Sequence, residues 1–221
     1  MLLRSCILLL LFTLFSGVAV AQTDKTIALP RPSVSGSSSL EQLLAQRRST
    51  REYKRTALEL AEIGQLLWAA QGITHAHGFR TAPSAGALYP LELYIVANQV
   101  HGLAKGVYHY DPRRHQLLNT STGDMQALLS RAASSQESVQ QASAVIAFTA
   151  DYQRTTRKYG NRGVRYVHIE VGHAAQNLFL QAESLGLGTV DVGAFADDKV
   201  ARVLQLPADL QPLLLMPVGR K

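Results

Sequence analysis

Residues 80–97 read RTAPSAGALYPLELYIVA, and the order of the two halves of this stretch decides what kind of fold it belongs to. Ala82-Pro83-Ser84-Ala85-Gly86 is a small, polar, proline-bounded run with the composition of a turn. Leu91–Ala97 alternates and is rich in β-formers, the pattern of a strand. A nucleophilic serine on an elbow needs Gly-x-Ser-x-Gly, with the strand before the serine and a helix after it. Position 82 is alanine and the strand comes second, which argues against a hydrolase serine. What remains is a turn that presents backbone N–H groups and one hydroxyl.

The flanking sequence supplies the rest of an α+β chain. Upstream, Ser39 with Gln42 and Thr56 with Glu59 are capping-box patterns. They predict a short helix over 40–46 and a longer one over 57–70, the latter stopped at Gly72. Downstream, 107–110 and 115–118 read as a hairpin across Asp111-Pro112-Arg113-Arg114, and 143–150 as a continuous apolar strand. Residues 163–185 form the longest helical pattern, with Val167, Val171, Ala174, Leu178, Ala182 and Leu185 on one face and Gly186 closing it. Strands are expected over 189–195 and 213–218, with a short helix over 198–204 between them. Hairpins mixed with separated helices favour α+β over a doubly wound parallel sheet.

The chain has 221 residues, and residues 1–21 carry the marks of an export signal. Arg4 supplies the charge, 7–15 the apolar run and Ala19-Val20-Ala21 the cleavage site. The expected domains are therefore a signal peptide at 1–21, a flexible linker at 22–38 and one folded domain at 39–221. Export implies a periplasmic or secreted protein with no stable membrane span once the signal is removed. The single cysteine, Cys6, lies inside the signal, so the mature chain has no disulfide. Net charge is +6, but the basic residues are scattered in short pairs, which suits anionic small molecules better than nucleic acid.

Other motifs fail on order or spacing. Gly186-Leu187-Gly188 follows a helix, and Asp191 occupies the place of the third glycine of a dinucleotide fingerprint. His75 and His77 lack companion ligands, and His168 and His173 are about 140° apart on a helix, so no metal site is expected. Arg47-Arg48-Ser49-Thr50-Arg51 is more informative, because three guanidinium groups with two hydroxyls match the needs of a phosphate monoester.

Taken in order, RRSTREY at 47–53, APSAGALYPLELYIV at 82–96 and GVYHYDPRRHQL at 106–117 resemble the FMN-dependent nitroreductase-like family, in its SagB/ThcOx-type oxidoreductase branch. So do the residues from Arg157 to Phe195 and LLLMPVGRK at 213–221. The resemblance implies a nitroreductase-like α/β sandwich of α+β class, with a mainly antiparallel central sheet flanked by helices. It also implies an intertwined homodimer with two flavin sites at the interface.

On the same ground, Arg47, Arg48, Ser49 and Arg51 would hold the FMN phosphate and ribityl chain. Pro83, Ser84, Ala85 and Gly86 would reach the flavin from the other subunit. N–H groups around Gly193 and Ala194 would approach N5 and O4, and Arg220 would stand near the phosphate. Lys158 and Tyr159 would border the substrate and move a proton, which asks for a lysine buried enough to give one up. The implied activity is ping-pong transfer between a small-molecule donor, NAD(P)H among the possibilities, and a small acceptor. An FMN-binding protein without turnover and a flavin-cleaving enzyme are the alternatives.

Overall fold

The structure is a computed structural model that describes residues 26–221, so the signal reading at 1–21 and the first four residues of the expected linker lie outside the described residues. Its centre is β7 (Ala144–Ala150), a strand buried at every position. A strand of that kind needs cover on both faces and partners on both edges. Here β3 (Leu91–Ala97) pairs with it on one side and β9 (Gln211–Arg220) on the other, both antiparallel. The full sheet adds β1 (Thr26–Ala28), β5 (Gly106–Asp111), β6 (Gln116–Thr122) and β8 (Leu187–Thr189). Its order is β1-β6-β5-β3-β7-β9-β8, and every neighbouring pair is antiparallel.

The period of two sorts the strand residues into two cores. Leu91, Leu93 and Ile95 of β3, with Ile146 and Phe148 of β7, meet α2 (Leu60–Gln71) and α6 (Arg162–Ser184) on one face. Tyr94, Val96, Val145 and Ala147 meet α3 (Gln126–Ala132), α4 (Glu137–Gln141) and α7 (Asp197–Leu204) on the other. The remaining helices, α1 (Leu40–Gln46) and α5 (Tyr152–Tyr159), both pack on α6. This is the expected helix-flanked, mainly antiparallel sandwich. Among the described residues no helix is long and apolar enough to cross a membrane.

Several boundaries differ from expectation, each for a local reason. The Ser39 capping box on α1 is present, but α2 starts at Leu60 rather than near 57, capped by Glu59 with Glu62. Leu58 instead donates its N–H to Gln99 and enters β2 (Leu58–Glu59), a two-residue parallel pair with β4 (Val100–His101). The fully buried Leu58 side chain makes that pairing worth more than a Thr56 cap. The strand expected over 189–195 ends at Thr189 because the continuing register sets Val190 opposite Pro217, which has no N–H to give. One pair resumes at Val192 with Leu215 before the chain leaves the sheet. Residues 26–28, inside the stretch read as linker, form an edge strand on β6.

One ion pair ties the last strand to the start of α2. Arg220, at the end of β9, is bidentate to Glu62 in the first turn of α2, at 2.8 and 2.9 Å. Glu62 also accepts the N–H of Glu59 at 2.8 Å. Glu62→Ala should cost about 2 kcal/mol, since it removes a cap and strands a partly buried guanidinium. Urea unfolding midpoints of the two proteins would measure this loss.

Candidate functional site

The turn at 83–89 carries local backbone strain. Gly86, Ala87 and Tyr89 all have positive φ, at 63°, 54° and 48°. For alanine and tyrosine this conformation is held against its own preference by the surroundings. Three hydrogen bonds hold it. The Tyr89 N–H donates to Ser84 Oγ at 2.9 Å, Ala87 N–H to the Ser84 carbonyl at 3.1 Å, and Arg154 Nη1 to the Tyr89 carbonyl at 3.1 Å. The Arg80 guanidinium lies over the Tyr89 ring, 4.7 Å from its centroid, and donates to Gln71 at 2.6 Å.

Arg154 belongs to α5 and also meets Glu92 of β3 at 2.6 Å, while Glu92 meets His109 of β5 at 2.8 Å. Burial works to raise the Glu92 carboxyl, yet hydrogen bonds from His109 and Arg154 bring it below its ordinary value. The Glu92–Arg154 ion pair and the Glu92–His109 hydrogen bond therefore clamp the turn to the sheet and to α5.

The same helix delivers Lys158 and Tyr159 to the turn. A Cβ placed on Gly86 would stand 2.7 Å from Tyr159 Oη and 3.0 Å from Lys158 Nζ. Only glycine allows that approach as well as that φ. Lys158 is exposed in this chain, so the burial expected of a proton-losing lysine is not supplied here. Tyr159 is half-buried and set edge-on to Tyr166 of α6.

Under the turn lies a residue the motifs did not single out. Glu170 of α6 is 2% exposed, faces the Ser84 side chain, and feels the charge of Arg80. Burial pushes its carboxyl up to about 7, against the smaller opposing pulls of Ser84 and Arg80. The signal was present in the sequence, because Glu170 interrupts the apolar stripe of Val167, Val171 and Ala174.

The arginine turn forms a second group. Ser49 bridges Thr189 of β8, and Thr50 N–H donates to the Thr189 carbonyl at 2.8 Å, so the turn runs along the edge of the sheet. Arg47 stacks over Phe179 of α6 at 5.0 Å and acts on the Asp191 carboxyl. Arg48 folds back onto the carbonyls of Ala45 and Arg47, and Arg51 is exposed. Two residues beyond Asp191, Gly193 and Ala194 are exposed, and among the described residues neither N–H has an acceptor. A Cβ on Gly193 would meet nothing within 4 Å, so the space above it is open.

The two groups share α6, Glu170 touching one and Phe179 the other, about 14 Å apart along the helix axis. No hydrogen bond or ion pair joins them among the described residues. Arg220 stands beside the second group through its bridge to Lys54, with its guanidinium held by Glu62.

A cavity of about 740 Å³ is elsewhere. It lies between residues 31–38 and the helices α1, α2 and α6, with Trp68 in its lining, and of the site residues above only Glu62 lines it. The histidine candidates are scattered. His75 and His77 contact each other and Phe79 on a loop, His168 bonds Tyr152 Oη, and His173 is exposed. Among the described residues no three metal-ligating side chains converge.

Comparison with known proteins matches residues 44–220 to the nitroreductase family. A candidate nitroreductase of Methanocaldococcus jannaschii is 50% identical over 182 residues, 82% of this chain and 91% of that protein. The trifolitoxin-processing protein TfxB of Rhizobium leguminosarum is 30% identical over 147 residues, 60% of this chain but only 37% of its own length. The crystal structure of a candidate nitroreductase from Ralstonia eutropha superposes with a TM-score of 0.78 at 30% identity. That match covers 91% of this chain and 92% of the other.

Proposed function

The chain belongs to the nitroreductase family, and from that premise we propose that it is an FMN-dependent oxidoreductase working as a homodimer. It would transfer hydride equivalents in ping-pong fashion from a small donor such as NAD(P)H, or from a substrate being dehydrogenated, to a small acceptor. Bound FMN would supply the two-electron chemistry. The residues present suit such a group: open space and free N–H donors at 193–194, guanidiniums at 47–51, and a glycine at 86 that lets Lys158 and Tyr159 come close to the turn.

In this reading Arg47, Arg51 and Ser49 hold the phosphate by charge-assisted hydrogen bonds. Arg48 joins them by leaving the carbonyls of Ala45 and Arg47, and Arg220 only by releasing Glu62. The N–H groups of Gly193 and Ala194 favour negative charge developing at the ring edge. Pro83–Gly86 closes the other side, and Lys158 and Tyr159 donate or accept the substrate proton there.

The homodimer reading has its own support. Leu40 and Leu44 of α1 are 56% and 52% exposed, and Val164 and Ile169 of α6 are 40% and 48% exposed. These apolar side chains stand beside the two separated half-sites, as a shared interface would require. Export is proposed as well, from the Ala19-Val20-Ala21 site. Cell fractionation with N-terminal sequencing should find a protein that starts at Gln22 outside the cytoplasm.

The observation that carries the reading is the approach of Lys158 and Tyr159 to the left-handed Gly86. The test is the absorbance of purified protein in the flavin bands, then anaerobic titration with NADH, NADPH and a quinol. Bleaching by one donor supports an oxidoreductase, whereas bound flavin that no donor reduces favours a binding protein. Colourless protein that takes up no FMN removes the reading. Lys158→Ala should lower kcat about 100-fold with little change in flavin affinity, and unchanged kcat would relieve Lys158 of its role.

A further inference from the structure

Glu170 is the buried charge that the proposed chemistry leaves unused. A carboxyl on an apolar helix stripe is costly unless a neighbour satisfies it. Its Oε1 has no hydrogen-bond partner among the described residues. The Ser84 hydroxyl is set against the carboxyl, and Arg80 is the charge that acts on it. Arg80 is in turn influenced by Tyr89 of the turn, Glu92 of β3 and Arg154 of α5. On α6 itself, Tyr166 leans on Tyr159 and His173 points to solvent.

A serine hydroxyl has one proton and two lone pairs. In Ser84 one lone pair is taken by the Tyr89 N–H. An ionised Glu170 can only accept, so it draws the Ser84 proton inward. A neutral Glu170 does better to donate its O–H to the second Ser84 lone pair. A proton turned to the unpartnered side would be a buried donor with no acceptor. The Ser84 proton is then free to point out of the turn.

We propose that Glu170 is a positioning residue for the flavin: neutral, it turns the Ser84 hydroxyl outward as a donor to the bound cofactor, and ionised, it withdraws that donor. This rests on the reading of the Ser84 turn as flavin-facing. FMN therefore binds the protonated form in preference, and binding takes up a proton by linkage. Because burial keeps the proton on Glu170 up to about pH 7, the two forms exchange around neutrality.

The test is calorimetric titration of FMN into wild type, Glu170→Gln and Ser84→Ala at pH 6, 7 and 8, in two buffers of different ionisation enthalpy. The titration of the FMN phosphate is common to all three proteins and drops out on comparison. Beyond that shared part, wild type should bind about fivefold more tightly at pH 6 than at pH 8, the size of one net hydrogen bond. Glu170→Gln, which sets its amide N–H on Ser84 for the reason given above, should hold the tighter affinity at both. Ser84→Ala should bind with the weaker affinity at both, and the extra proton uptake should appear in wild type alone.

Equal pH profiles in wild type and Glu170→Gln would overturn the proposal. So would a pH dependence that survives Ser84→Ala, which would assign the effect to the charge of Glu170 without the hydroxyl. If Glu170→Gln does not fold, wild-type proton uptake and the Ser84→Ala profile decide. FMN bound by none of the proteins at any pH would overturn the flavin reading itself, and this proposal with it.

Discussion

Gly86→Val should lower turnover at least 100-fold while leaving the domain folded. Two effects act together. The site has φ 63°, where a β-branched residue is strained by roughly 1–2 kcal/mol. Its Cβ would also stand 2.7 Å from Tyr159 Oη and 3.0 Å from Lys158 Nζ. Both atoms are the ends of side chains and can swing aside, which keeps the stability cost small. Swinging aside removes them from the substrate face, so the cost appears in kcat instead. Gly78→Val is the control, because Gly78 has φ 81° with nothing near its Cβ. It should show a similar loss in melting temperature and normal turnover. Native turnover in Gly86→Val would mean that the contact among Gly86, Lys158 and Tyr159 has no part in the reaction.

Removing the charge of Glu170 should change the pH dependence of stability by about 3 kcal/mol. Folding raises this carboxyl from 4.5 to about 7. Below pH 4.5 folded and unfolded chains both carry the proton, and the group costs nothing. Between pH 4.5 and 7 the folded protein keeps a proton that the unfolded chain has lost, so this contribution falls as pH rises. Above pH 7 the loss is complete, at about 1.4 kcal/mol per pKa unit. Glu170→Gln has no such slope. Its stability relative to wild type should therefore climb from pH 4.5 to pH 8, read from urea unfolding at each pH. A constant difference across that range would show that Glu170 titrates alike in both states.

The sequence yields most where one signal dominates. The stripe of α6, the alternation of β3 and the Ser39 cap each depend on a few neighbouring residues, and the structure keeps them. It is silent or misleading where a distant partner decides. Thr56 has the local pattern of a cap, but Leu58 answers to Gln99 and the core. The break after Thr189 depends on Pro217, which no window around 189 contains. Helices α3, α4 and α5 lack long apolar stripes and are absent from the sequence reading.

The site divides the same way. The resemblance drew attention to Lys158, Tyr159 and the Ser84 turn, and the structure brings these together. Their support, Arg80, Glu92, Arg154 and Glu170, depends on contacts between a loop, a strand and two helices. Only Glu170 left a trace in the sequence, as a carboxylate on an apolar face.

The pairing of Ser49 with Thr189 has a practical consequence. A strand at the rim of a sheet is a template on which other chains can stack. Here the free side of β8 is shielded by the segment whose arginines are proposed to grip the phosphate. A deletion or proline in 48–50 would therefore uncover a sticky rim as well as weaken a ligand contact. Colourless, precipitating protein from such a variant would look like a failed cofactor site while reporting on solubility. Point changes that spare the backbone, such as Arg47→Gln or Arg51→Gln, separate the two effects.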